Sequence, residues 1–234
     1  MKIVARRRGQ SVIYLWQGAV ISKPELITPA LPDDESFLND SDIVRRARAM
    51  AGMAHEGEFR RIRQQPFIIH PVGVARIASE YEPTDFVQAV SLLHDVRDQT
   101  IARERVSLKD LREQFGFDIS FAVVSLSKVV QPSWSDDDIK QQYLEVTRQE
   151  TEPEIQLIRA ADKIHNLESA IEELHLVQDA FWQHFKGGRS AYLQWPADVL
   201  MAIEHSGAID GHEILRRYEA TMHRFYEVAD DQAS

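Results

Sequence analysis

The sequence predicts an all-α helical bundle. Apolar residues recur at helical spacing from Ser41 onward, Ser, Thr, Asp and Pro stand where those stretches begin, and Gly and Pro close several of them. With 234 residues the chain can bury one full hydrophobic core, so residues 41–234 are expected to form a single helical domain. Residues 1–40 are expected to be an extension. Within it, residues 2–21 alternate loosely between apolar and polar, and Arg8-Gly9-Gln10 suits a turn, which reads as a short β-hairpin. Pro24, Pro29 and Pro32 then make a linker that cannot stay helical.

The helices follow in order. Ser41 or Asp42 caps the first, whose apolar face is Ile43, Ala47, Met50 and Ala54. Pro71 suits the first position of a second helix carrying Val74, Ile77, Ala78 and Tyr81, which puts His70 at its entrance. Thr84 and Asp85 open a third, which leads through Phe86, Ala89, Val90 and Leu93 to His94-Asp95 and is expected to end near Thr100. Residues 107–115 and 119–130 read as helices separated by Gly116. Asp136, Asp137 and Asp138 follow Ser135 and suit a helix's first turn better than a metal site. Pro153 opens a long helix through Ile155, Ile158, Ala161, Ile164 and Leu167 to about Leu174. Residues 192–205 and 212–228 complete the set, divided by Gly207 and Gly211.

Charge and composition narrow the function. A net charge of −10 disfavours general binding to nucleic acid or to an anionic membrane, so a phosphate-bearing ligand requires a local basic pocket. Arg6, Arg7 and Arg8 are too short a run to reverse this. The absence of cysteine excludes disulfides, thiolate metal sites and cysteine nucleophiles, leaving His, Asp and Glu as strong metal ligands. No apolar run is long enough to span a bilayer and no signal-peptide core follows Met1, which points to a cytoplasmic protein.

Chemistry concentrates in three places. His94-Asp95 ends an apolar helix, and alone it is a weak signal. Asp162 carries more weight, because it lies mid-helix among Ala160, Ala161 and Ile164, where an unpaired carboxylate is costly to bury. His165 and Asn166 share its helical face. With His70 these residues supply two imidazoles and two carboxylates, a set suited to Mn²⁺, Fe²⁺ or Zn²⁺. Spacing alone leaves a metal centre and a metal-free hydrogen-bonded network equally open.

The segments Phe67-Ile68-Ile69-His70-Pro71, Leu92-Leu93-His94-Asp95 and Ala161-Asp162-Lys163-Ile164-His165-Asn166 resemble, in this order, the motifs of the hydrolase domain of Rel/Spo alarmone enzymes. Ala54-His55-Glu56-Gly57 with Arg60-Arg61 is similar to the segment ahead of that family's first metal histidine, and the likeness spans about residues 43–170. The resemblance implies an HD-type helical domain of the small alarmone hydrolase class. It further implies one Mn²⁺ on His70, His94, Asp95 and Asp162, and hydrolysis of the 3′-pyrophosphate of (p)ppGpp, the alarmone of the stringent response. Arg60, Arg61 and Arg63 make a basic island suited to phosphate and purine, and the likeness adds Lys128 and Asn166 as substrate contacts.

The sequence departs from that family at three points. Asp98-Gln99 stands where Glu-Asp is usual; Asp98 keeps a carboxylate, whereas Gln99 can only hold a water or a phosphate oxygen through its amide. Glu168 replaces an arginine, and one extra residue lies between His55 and His70. The expected catalytic pair is therefore Asp98 and Gln99. Two rivals stand beside the alarmone reading: hydrolysis of another nucleotide or phosphorylated metabolite, and a catalytically degenerate nucleotide-binding protein. The expected partner is a small guanine nucleotide, not nucleic acid or membrane, and homo-oligomerisation is left open. The aromatics of the segment from Phe181 to Arg189 are expected to pack the C-terminal helices, and Arg189 after two glycines offers a second expectation, a phosphate contact.

Overall fold

The computed structural model describes residues 4–8, 11–16, 19–21, 35–98, 100–128, 130–131 and 133–231, with residues 4–21 described by backbone alone. The chain forms two compact units, Met1–Asp33 and Asp34–Ser234. In the first, β1 (Val4–Arg8), β2 (Ser11–Trp16) and β3 (Ala19–Ile21) form an antiparallel sheet in the order β1-β2-β3. Arg8 pairs with Ser11 and Trp16 with Ala19. The expected hairpin is therefore joined by a third strand, which the short run Ala19 to Ile21 had not signalled as separate from β2. The proline linker lies outside the described residues.

The second unit is a bundle, all-α as expected. Helix α1 (Asp42–Ala54) starts where the Ser41 side chain accepts from the Val44 amide, and it buries Val44, Ala47, Met50 and Ala54. Helix α2 (Ile69–Ser79) begins before His70, so Pro71 is its third residue instead of its first. Either position lacks an intrahelical N–H bond, which is why proline is tolerated. Helix α3 (Asp85–Leu93), capped by Thr84, is buried at every residue from Val87 to Leu93 and packs against α1 and α2 at the centre.

The expected continuation of α3 to Thr100 is not what forms. The helix stops at Leu93, and hydrogen bonds donated by the Val96 amide to the Leu93 carbonyl and by the Asp98 amide to the Asp95 carbonyl tighten the next residues into turns before α4 (Thr100–Arg105). Helix α5 (Leu108–Leu126) opens on a Ser107/Asp110 capping box and kinks at Gly116, whose φ of 78° favours glycine. It ends at Leu126, short of the expected Val130. Ser127 turns back onto the Val123 carbonyl, and the amide of Lys128 is taken by Asp98.

A second capping box, Ser135/Asp138, opens α6 (Asp136–Gln149), so the three aspartates are first-turn acids as expected. Helix α7 (Pro153–Val177) is the axis of the unit. It is buried continuously from Ile155 to Ile164 and packs on α2, α3 and α5. It runs three residues past the expected Leu174, and a 3₁₀ turn (Gln178–His184) follows. Helix α8 (Gly188–Ser206) starts four residues before the expected Tyr192 and contains Pro196, whose carbonyl accepts from the buried Tyr218 hydroxyl. Helix α9 (Glu213–Asp231) seats Ile214, Tyr218, Met222 and Phe225 against α7 and α8. Among the described residues no helix is long and apolar enough to cross a membrane.

Candidate active site

Three segments of the bundle converge. The first turn of α2 brings His70, the C-terminal cap of α3 brings His94 and then Asp95, and the middle of α7 brings Asp162. His70 Nε2 lies 3.1 Å from Asp162 Oδ1 and 3.4 Å from Asp95 Oδ2. His94 Nε2 lies 3.5 Å from Asp95 Oδ2 and 3.8 Å from Asp162 Oδ1. Ligands held about 2.1 Å from one ion stand roughly 3–3.5 Å apart. His70, His94 and Asp162 each place a ligand atom within 4.8 Å of the others, close enough to hold one metal ion, and Asp95 Oδ2 lies within 3.5 Å of both imidazoles.

His94 supplies an independent test of that fit. Its Nδ1 is 2.7 Å from the Ser91 carbonyl, which places a proton on Nδ1, so that in the neutral ring a metal ligand must be, the lone pair is on Nε2. That Nε2 is buried and has no hydrogen-bond partner among the described residues. A buried lone pair aimed at two carboxylates suits a cation better than a closed hydrogen-bonded network. The donor set of nitrogen and carboxylate oxygen fits a divalent transition metal.

The charges around the centre are strongly perturbed. Burial alone would raise the pKa of Asp162, but the Lys163 ammonium, 2.6 Å away, and His70 hold it well below the usual carboxylate range. Asp95 is likewise lowered against burial by His94 and His70. For His70, burial works downward, and hydrogen bonds to Asp162 and Asp95 outweigh it and raise the value. Burial, followed by the neighbouring charges of His70 and Arg60, drives His165 well below its ordinary value. Asp98 is pushed up to about 6 by burial and then by the charge of Asp95, while its Oδ1 accepts the Lys128 amide at 2.7 Å.

The remaining expected site residues divide. Asp98, Lys128, Arg60 and Asn166 line the same small cavity of about 160 Å³ as the four convergent side chains. Asn166 donates to Asp162 Oδ1 at 2.6 Å and accepts from Arg60 at 3.3 Å, which ties the basic segment to α7. Arg61 lines a second, larger cavity, and its guanidinium bonds the His184 carbonyl at 2.6 Å. Arg63 pairs with Glu172 on the surface. Gln99 lies outside the described residues.

Sequence reasoning missed Tyr143, Lys163 and much of the larger cavity. Lys163 stood beside Asp162 in an apolar helix, the one signal that could have marked it. The larger cavity, about 590 Å³, shares Arg60, Phe67 and Asn166 with the smaller one and is walled by Glu173, Phe185 and Tyr192. Of the aromatic segment only Phe185 lines this cavity, while Phe181 and Trp182 are buried and pack against Tyr192 of α8 and Phe225 of α9, as expected of them. Arg189 is turned away and bonds Asp230 at 2.7 Å, and Glu168 pairs with Arg217 at 3.3 Å.

Among known proteins, the bifunctional (p)ppGpp synthase/hydrolase SpoT of Escherichia coli K12 is 31% identical over 160 residues, covering 66% of this chain and 20% of SpoT. The guanosine-3′,5′-bis(diphosphate) 3′-pyrophosphohydrolase of Haemophilus influenzae is 31% identical over 120 residues, covering 49% of this chain and 16% of that protein. The chain spans 15–20% of the length of the curated relatives it matches. A solved metazoan SpoT ortholog, described as hydrolysing ppGpp, superposes with a TM-score of 0.63 at 18% identity, covering 80% of this chain and 97% of that one, which shows a shared fold. The family known as HD domain matches residues 47–186, a stretch that contains all four convergent side chains, and the chain belongs to that family.

Proposed function

We propose that this chain is a divalent-metal-dependent phosphohydrolase that removes the 3′-diphosphate of (p)ppGpp, with Mn²⁺ as its ion. The observation that carries the reading is the convergence of His70, His94, Asp95 and Asp162 in a cavity that also holds Arg60 and Lys128. The likeness to SpoT over 66% of this chain supports the choice of nucleotide. When bound, the divalent ion supplies Lewis acidity toward a water and a phosphoryl oxygen.

The chain's own residues supply the rest. Arg60 and Lys128 hold the 3′-diphosphate oxygens, and Asn166 keeps Arg60 and Asp162 in register. A water oxygen forms a bond to the phosphorus nearest the sugar as the bond from that phosphorus to O3′ breaks. Asp98 takes the proton from the water and returns it to O3′, so pyrophosphate leaves and the 5′-phosphorylated guanosine keeps a 3′-hydroxyl. Lys163 offsets part of the negative charge of Asp162. On this reading the protein acts in the cytoplasm on the nucleotide pool of the stringent response.

The test is pyrophosphate release from ppGpp with Mn²⁺, beside Asp95→Ala with its fold checked by circular dichroism. Turnover in the parent protein and its loss in the variant are expected. Failure of the parent protein to release pyrophosphate with Mn²⁺, Fe²⁺ or Zn²⁺ would overturn the substrate. A second reading, another phosphorylated nucleotide, draws on Glu168: a glutamate paired with Arg217 stands where the resemblance implies an arginine, and a substrate panel separates the two.

A further inference from the structure

We propose that Glu173 reads the base of the substrate, selecting guanine by accepting hydrogen bonds from its N1–H and 2-amino group. The proposal rests on the phosphohydrolase reading and names the determinant of its substrate class. Glu173 follows Asp162 by eleven residues on α7, three helical turns, so both lie on one face roughly 16 Å apart along the axis. A nucleoside 3′-diphosphate bridges such a span, with its phosphates at the Asp162 end and its base at the other.

The surroundings of Glu173 are those of a reader and not of a counter-ion. The residue is 6% exposed and lines the larger cavity, which adjoins the smaller one, the two sharing Arg60, Phe67 and Asn166 as lining residues. Its carboxylate forms no ion pair among the described residues, although the Arg63 backbone and the charges of Arg60 and Arg63 act on it. Arg60 and Arg63, whose charges act on Glu173, make their own side-chain bonds to other residues: Arg63 with Glu172, and Arg60 with Asn166. Burial raises the carboxyl pKa, with the arginine charges working the other way. A buried acceptor with spare lone pairs facing a cavity is costly until a ligand supplies donors.

The other walls suit a planar ring. Phe185 and Tyr192 have centroids 4.2 Å apart, the Arg61 guanidinium lies 5.5 Å from the Phe185 centroid, and Arg60 lies 5.9 Å from that of Phe67. Arginine planes and aromatic faces bind bases without choosing among them, so the choice falls to a hydrogen-bonding group at the edge. Guanine presents two adjacent donors that match the two oxygens of a carboxylate. Adenine presents one donor beside the N1 lone pair, which a carboxylate repels.

The experiment compares guanosine, inosine and adenosine 3′,5′-bis(diphosphates) with the parent protein and with Glu173→Gln, by pyrophosphate release and, without added metal, by calorimetric binding. The parent is expected to favour guanosine over adenosine by at least about tenfold in kcat/KM, with inosine between them because it lacks the 2-amino group. In Glu173→Gln the preference should collapse through KM, with kcat on the guanosine compound little changed. Turnover of the guanosine compound with no base preference, or a preference kept in the variant, would overturn the proposal. If no compound is hydrolysed, the hydrolase reading fails and binding decides alone: a guanine preference lost in Glu173→Gln upholds the assignment of Glu173, and equal binding of all three refutes it.

Discussion

His70 and His165 face each other through their Nδ1 atoms, 2.9 Å apart. With His70 Nε2 turned to Asp162, the proton between the two rings belongs on His70 Nδ1, and neutral His165 accepts it. His165 thereby sets the tautomer and tilt of a candidate metal ligand without touching the ion.

That relationship predicts two variants with one outcome. His165→Phe should weaken metal binding by about 10- to 100-fold, measured by competition with a chelator. Gly73→Ala should act in the same direction, because a methyl group there overlaps the His165 ring. Unchanged metal affinity in both would show that His70 needs no such support.

Asp162 and Asp95 should differ in what their loss does to stability. Asp162 is the counter-charge of Lys163, which is 8% exposed, so Asp162→Ala leaves an ammonium buried without a partner and should cost about 3 kcal/mol in denaturant unfolding. Asp95 has no lysine or arginine partner among the described residues, and Asp95→Ala should cost much less. Both should lose the metal.

Asp98→Asn should lower kcat by about 100-fold while metal affinity holds, measured by steady-state kinetics beside metal titration. The amide oxygen still accepts from the Lys128 amide, so the loop stays in place, and only the proton-accepting charge disappears. An equal loss of metal affinity would assign Asp98 to the centre itself.

Glu173 has a consequence for stability with a definite sign. Its pKa in the folded chain lies above the ordinary 4.5, so below that pH the acid is protonated in both states and folding pays nothing for it. As pH rises through the folded value, the unfolded chain ionises more readily and stability falls. Thermal unfolding should therefore find Glu173→Gln more stable than the parent at neutral pH, with the gap closing below about pH 4.5.

The helices and the four convergent side chains were legible in the sequence for a local reason. Ser41, Thr84, Ser107 and Ser135 cap the helices they precede, and Asp162 stood out because a carboxylate in an apolar helix needs a partner. The end of α3 was not legible, since apolar spacing does not register that Asp98 would leave the helix to hold the Lys128 amide, thirty residues on. Arg60, Arg61 and Arg63 were one basic island by sequence, yet their chain paths send one to Asn166, one to the His184 carbonyl and one to Glu172.

The sequence by itself determined the residue types for a nitrogen and oxygen metal centre, the helices that carry them and the polarity of the chain, because capping, periodicity and burial cost act over a few residues. Tertiary structure alone decided that His165 braces His70, and that Glu173, Phe185 and Tyr192 share a cavity with Arg60. Those relationships depend on which faces of α2, α6, α7 and α8 meet. The meeting is fixed by packing the whole core at once, and no local pattern encodes it.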